Sequence, residues 1–204
     1  LERIKNPVPT QSSDDQILRP SLWIHAVSVG EINAVKPLVD LLDMDSDYLF
    51  ISTITETGQG LARTLFGDRA HIFYFPLDWQ WLCRRHLRSI RPSAVLLTET
   101  EIWPSFIAAA ESLNIPVLLI NGRISDRSLK GYQRLAFFMR PLLQKVHHFC
   151  MQSKQDKQRI IELGAPAFRV NQTGNLKYDY HLPTDRKKGE LVKRLQQLTK
   201  SKEQ

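Results

Sequence analysis

Cysteine is scarce in this sequence. Cys83 and Cys150 are the only two among 204 residues, and they form neither a CxxC pair nor a disulfide framework. Both read as reduced thiols of a cytosolic protein. Long apolar runs are absent too. No stretch approaches the roughly 20 residues that a membrane-crossing helix needs, and no signal peptide pattern opens the sequence. The six histidines fall at no metal-ligand spacing, so no metal site is expected. There is no H-E-x-x-H, no G-x-S-x-G and no P-loop pattern, which leaves metalloprotease, α/β-hydrolase and P-loop readings without support. Gly58 and Gly60 begin a GxGxxG pattern, but Arg63 stands at its last position, and the first expected strand-to-helix turn holds only Gly30. A dinucleotide cofactor is therefore not expected. Internal repeats and low-complexity tracts are also lacking.

What is present points to a folded α/β chain. Apolar residues make up 42% of the sequence, enough to bury a core. The net charge is +7, but residues 185–204 alone carry +4, so the remainder is only mildly basic. Broad nucleic-acid binding is thus not expected.

Short β-rich runs alternate with longer helical patterns. The expected strands are Leu22–Val27, Tyr48–Thr53, His71–Phe75, Ala94–Thr98, Val117–Asn121, His147–Met151 and Arg169–Gln172. The expected helices are Ile32–Leu42, Gly58–Phe66, Trp79–Ile90, Ile102–Leu113, Ser125–Lys145, Lys154–Leu163 and Lys187–Thr199. This alternation predicts a Rossmann-like parallel sheet with helices on both faces. Ala94-Val95-Leu96-Leu97 and Val117-Leu118-Leu119-Ile120 are continuous apolar runs, as central strands covered on both sides require. Residues 1–20 read as a lead-in and 21–182 as the Rossmann-like domain. Residues 183–204, beginning at Pro183, read as a linker or the start of a further domain.

Chemistry is expected at the strand-to-helix junctions, because open α/β sheets place ligands beyond the carboxyl ends of their strands. The first junction is Trp23-Ile24-His25-Ala26-Val27-Ser28-Val29-Gly30-Glu31. Glu31 opens a helix, where the positive end of the dipole favours an anion by about 0.3–1 kcal/mol. It is either a general base or a helix-start acid that only suits the dipole. The second is Thr98-Glu99-Thr100-Glu101-Ile102-Trp103-Pro104. Its acids either orient a substrate or serve a helix that Thr98 or Thr100 caps. Ser52-Thr53-Ile54-Thr55-Glu56-Thr57-Gly58 offers hydroxyls to an anion or a sugar. After Asn121-Gly122, Arg123, Arg127, Lys130 and Arg134 recur at helical spacing, and Tyr132, Leu135, Phe137, Phe138 and Met139 lie among or just after them. That pattern suits a phosphate or lipid headgroup, or else a solvated face over an apolar stripe. Trp79, Trp81, Arg84, Arg85 and Arg88 are read as amphipathic core packing, and His25 as a core histidine with a hydrogen bond.

These junctions, with Gly131-Tyr132 and Thr173-Gly174-Asn175-Leu176-Lys177-Tyr178-Asp179, together resemble the amino-terminal half of the Kdo (3-deoxy-D-manno-octulosonic acid) transferases of lipid A biosynthesis. The resemblance runs from about Trp23 to Asp179. It implies one half of a GT-B glycosyltransferase that moves Kdo from CMP-Kdo to a lipid A precursor (lipid IVA), inverting at the anomeric carbon and needing no metal or cofactor. The family's base falls on Glu31 and a further functional acid on Glu99 or Glu101. The acceptor is then expected among Ser28, Gly30, Ser52, Thr53, Thr55, Arg123, Ser125, Arg127 and Tyr132. CMP-Kdo would be held mainly by a carboxyl-terminal half that this sequence does not include, so the chain alone is expected to be inactive. The implied setting is the cytoplasmic membrane surface, on the inner face, reached peripherally or through an anchor outside this sequence. The sequence departs from the family pattern at Gly122, where Ala is usual. The alternatives are a non-catalytic module for lipid or phosphate, and a GT-B enzyme using another nucleotide sugar.

Overall fold

A strand built from apolar residues alone needs cover on both faces. β4 (Ala94–Thr98) and β5 (Val117–Gly122) each open with four such apolar residues. Both lie inside a seven-stranded parallel sheet in the computed structural model, which describes residues 20–42 and 48–181. The other strands are β1 (Leu22–His25), β2 (Leu49–Thr53), β3 (His71–Tyr74), β6 (His148–Met151) and β7 (Val170–Gln172). Their order across the sheet is β3-β2-β1-β4-β5-β6-β7. Ile24 pairs with Ile51 on one side and Leu96 on the other, so β1 and β4 are neighbours at the centre.

The helices divide by direction of travel. α1 (Val29–Leu42) and α2 (Glu56–Phe66) carry the chain outward from β1 to β3 and cover one face. Their Ile32, Val35, Val39, Ala62 and Phe66 pack on Leu22, Ile24, Ile51, Leu96 and Ile120. α3 (Gln80–Ile90), α4 (Pro104–Ser112), α6 (Ala136–Leu143) and α7 (Lys154–Glu162) cover the other. There Trp23 meets Phe106 edge-on at 5.1 Å, within the cluster that contains Val95, Leu97 and Leu119. Alternation along β1 and β4 sends successive side chains to opposite cores, as period-2 geometry demands. The order in which strands are added reverses between the parallel β1 and β4, so their carboxyl ends flank the crevice where such folds bind ligands.

Most boundaries shift by one to three residues from the expectations, and three of the differences have a clear physical cause. β1 stops at His25 because the backbone of Val27 is engaged by the following turns: its N–H donates to Glu31 and its C=O accepts from Thr55. α4 starts at Pro104 rather than Ile102. Pro suits a first helical position, and Asp78, from the loop before α3, accepts from the free N–H groups of Ser105 at 3.2 Å and Phe106 at 2.8 Å. Neither Thr98 nor Thr100 caps this helix. The single helix expected over 125–145 is two, α5 (Asp126–Arg134) and α6, broken at Leu135. Gly131 remains inside α5. The break turns α6 so that Met139, Leu142 and Leu143 are buried, while α5 buries no residue fully. The helix expected over 187–199 and the segments 1–19 and 183–204 lie outside the described residues.

Candidate active site

Glu31 stands in the first turn of α1 and is 6% exposed. Ser28 and Glu31 have the S-x-x-E spacing of a capping box, and the carboxylate does reach back along the chain. Its Oε2 accepts from the Val27 N–H at 3.0 Å, and its Oε1 from the Ser28 hydroxyl at 3.1 Å. A third donor comes from across the crevice: the Thr98 hydroxyl, at the end of β4, donates to Oε2 at 2.5 Å. A carboxylate has about four acceptor positions. Among the described residues these bonds fill Oε2 and leave one acceptor position on Oε1 without a donor.

Two further acids approach from the β4 end. Glu99 adopts left-handed backbone with φ +52°, a conformation that costs a non-glycine residue on the order of 1–3 kcal/mol. Its N–H still bonds the Ile120 carbonyl at 2.9 Å, so the strand end is held while the side chain is re-aimed. Burial raises the Glu99 pKa, and the Glu31 charge adds to the effect. Lys177 and Arg123 oppose it. Burial pushes Glu101 up to about 7, with Glu31 and then Glu99 contributing in the same direction. The Trp103 indole N–H, which points toward the Glu101 carboxyl, pulls it the other way. Burial, then the Glu101 charge, raises Tyr132. Glu31, Glu99, Glu101 and Tyr132 therefore feel one another across the mouth of the crevice.

The loop after β5 closes one side. Thr100 donates to the Arg123 carbonyl. α7 grips the same loop: Asp156 Oδ1 accepts from the Ile124 N–H at 2.8 Å, and Arg159 donates to the Ile124 carbonyl and to Asp126. Asn121, also left-handed at φ +53°, accepts from the Leu176 N–H at 3.1 Å through Oδ1. That bond brings the Gly174-Asn175-Leu176-Lys177 turn to the rim, with Lys177 beside Glu99.

Several expected acceptor residues are placed elsewhere or used otherwise. Ser52 and Thr53 are fully buried, which corrects the expectation that they meet a sugar. The Ser52 hydroxyl accepts from Trp23 Nε1 at 2.7 Å and lies 3.0 Å from His25 Nδ1, and Thr53 donates to Gln59 at 2.6 Å. β2 is an interior strand, so its polar side chains serve the cores. Thr55 is the N-cap of α2 and Ser125 that of α5, each accepting from an N–H three residues on. Ser28 is half-buried against Glu31, and Gly30 is exposed beside it. Arg123 is exposed but precedes α5 and so does not share the helical face of Arg127, Lys130 and Arg134. Trp79 and Trp81 are exposed, not core. Sequence reasoning missed Thr98 as the partner of Glu31, Lys177 as a rim cation and Asp78 as a cap. Only the S-x-x-E spacing at Ser28 offered a local signal.

Residues 2–180 match the family described as 3-deoxy-D-manno-octulosonic-acid transferase (kdotransferase). The chain belongs to this family. It is 34% identical over 160 residues to the 3-deoxy-D-manno-octulosonic acid transferase of Haemophilus influenzae, covering 78% of this chain and 38% of that protein. With the Bordetella pertussis transferase it shares 33% over 171 residues, 81% of this chain and 40% of the relative. A bifunctional glycosyltransferase/methyltransferase of Fusobacterium nucleatum is 38% identical over 164 residues, 79% of this chain and 26% of its own length. The Kdo transferase family chain thus spans well under half of these relatives. Among solved structures, the UDP-GlcNAc 2-epimerase of Neisseria meningitidis superposes with a TM-score of 0.56 at 15% identity, covering 78% of this chain and 47% of that one. The Rickettsia bellii UDP-N-acetylglucosamine 2-epimerase gives 0.54 at 14%, covering 87% and 48%. These two share the Rossmann-like fold expected from the sequence.

Proposed function

We propose that this chain is the acceptor-binding half of an inverting glycosyltransferase that moves Kdo from CMP-Kdo to lipid IVA, with Glu31 as the general base. The observation that carries the reading is the Glu31 carboxylate at the β1/β4 crevice, held by three donors, with one acceptor position on Oε1 that no described residue fills. A sugar hydroxyl is a weak nucleophile. Seated on Oε1, it would pass its proton to Glu31 as its oxygen bonds the anomeric carbon and the CMP oxygen leaves from the opposite face. Proton acceptance by a positioned side chain contributes about 10²–10⁴-fold in rate. Glu101, with its pKa near 7, is partly protonated at neutral pH and can donate to an acceptor oxygen. Arg127, Lys130 and Arg134 present cations to the phosphates of a lipid A precursor, beside the exposed Leu135, Phe137 and Phe138. This reading places the enzyme on the inner face of the cytoplasmic membrane, needs no metal, and assigns CMP-Kdo to a second half.

The test is transfer of labelled Kdo to lipid IVA by the full-length enzyme. Glu31→Gln keeps the shape and lowers kcat by at least about 100-fold, and near-normal kcat in that variant overturns the assignment. The 204-residue chain alone gives no transfer and no normal CMP-Kdo binding. Turnover by it would refute the division of labour.

A further inference from the structure

α3 buries Leu82, Cys83, His86, Leu87 and Ile90 against the sheet. Packing therefore explains one face of this helix and leaves the other without a reason. On that outer face Trp81, Arg84, Arg85 and Arg88 follow one another at helical spacing and line a shallow groove of about 490 Å³ with Gln80. Trp79 stands immediately before the helix, its ring 6.3 Å from that of Trp81. The two indoles are 53% and 56% exposed, a large apolar area to leave in water. Among the described residues none of the three arginines pairs with a carboxylate, and no acid lines the groove.

We propose that this outer face of α3 docks on an anionic phospholipid bilayer, with Trp79 and Trp81 entering the headgroup boundary and Arg84, Arg85 and Arg88 meeting lipid phosphates. Indole rings prefer the membrane interface, where an apolar body and a polar N–H are both satisfied. Clustered cations bind anionic leaflets additively, at several-fold per residue. No described helix is long and apolar enough to cross a membrane, so contact of this kind lies on the surface. The placement is also apt. Asp78, next to Trp79, bonds the start of α4, which ties the indole pair to the rim that carries the crevice. The inference rests on the proposed function only for the kind of membrane concerned.

The experiment is co-sedimentation of the 204-residue chain with vesicles of phosphatidylethanolamine and phosphatidylglycerol, and with vesicles of phosphatidylcholine alone. Binding is expected to the first and to be at least tenfold weaker to the second. Arg84→Gln/Arg85→Gln/Arg88→Gln weakens binding by about tenfold to a hundredfold, and Trp79→Ser/Trp81→Ser does so by at least about tenfold, with melting temperature unchanged in both. Brominated lipid quenches the wild-type tryptophan emission far more than that of the double Trp variant, which keeps only the fully buried Trp23 and the half-buried Trp103 of the crevice. Loss of binding in Phe137→Ser/Phe138→Ser with none in the α3 variants assigns docking to α6 and overturns the proposal. So do equal binding to both vesicles, no binding at all, or the arginines retaining RNA in preference to vesicles. Glu31→Gln binds vesicles as the wild type does. Vesicle binding without Kdo transfer in the full-length enzyme sinks the functional reading alone, and transfer without α3-dependent binding sinks this one alone.

Discussion

Glu101 should hold its proton until about pH 7, against an ordinary value of 4.5, because it is partly buried beside Glu31 and Glu99. In the unfolded chain the same group ionises near 4.5. Between these two values the folded chain binds more protons than the unfolded one, so stability must fall as the pH rises. The contribution is fully present below about 4.5 and is lost through about 7. The gap corresponds to about 3 kcal/mol. The side chain keeps some contact with solvent, which screens part of this, and about 1–2 kcal/mol remains. His86 and His148, both lowered by burial, give the opposite slope below pH 6.5. The difference between wild type and Glu101→Gln therefore isolates the effect. Urea denaturation at pH 5 and pH 8 should show Glu101→Gln more stable than wild type by about 1–2 kcal/mol at pH 8 and less so at pH 5. Carboxyl carbon NMR should place the Glu101 titration near 7 and move it down in Glu31→Gln, because the Glu31 charge is the second cause of the rise. A titration near 4.5, or one unmoved by Glu31→Gln, refutes the claim that these carboxyls share one pocket.

Two further variants test how the rim is built. Asp78→Ala leaves the N–H groups of Ser105 and Phe106 without their acceptor. It should cost about 2 kcal/mol, or roughly 4–8 °C of melting temperature by calorimetry, and a fall under about 1 °C would show that Asp78 is not the cap. Gly122→Ala would place a Cβ 2.5 Å from Met151 Sδ and 2.6 Å from Leu119 Cδ2. It should lose about 1–3 kcal/mol from overpacking, and Met151→Val should restore part of it. An unaffected single variant would mean that Met151 swings aside freely, and that the family's usual Ala fits here at no cost.

The sheet was legible because its central strands are apolar on both faces, and only a position covered by helices on both sides stabilises that pattern. Glu31 was legible as a candidate because the end of β1 and the start of α1 are both local signals. Its partner was not. Thr98 lies 67 residues away, and only the return of the chain beside β1 makes them neighbours. Ser52 and Thr53 misled because hydroxyls at the end of a strand look alike whether they face a crevice or a core. In an interior strand such as β2 they bond to Trp23, His25 and Gln59 instead. Trp79 and Trp81 misled for the converse reason. Aromatic residues beside a helical apolar pattern read as core, yet Leu82, Cys83 and Leu87 already fill that side of α3.

The two sequence readings of Glu31, base and helix-start acid, can be separated at Thr98. A cap needs only the bonds to Val27 and Ser28, which immediately precede the helix. The bond from Thr98 comes from another strand and does nothing for the helix end. Its effect is to fix the rotation of the carboxylate, so that the open position on Oε1 faces one direction. Thr98→Val removes that donor and keeps the volume, and a bond to a charged group is worth about 1.5–3 kcal/mol. If Glu31 is only a cap, the full-length variant loses stability while the surviving folded enzyme keeps its kcat. If Glu31 is the base, kcat per folded molecule falls about tenfold or more with little change in KM, since misplacing a reacting group by a fraction of an ångström is enough. Thr98→Ser, which retains the hydroxyl, should restore kcat in the second case and have no kcat to restore in the first. An unchanged kcat in folded Thr98→Val would therefore reduce Glu31 to the end of a helix.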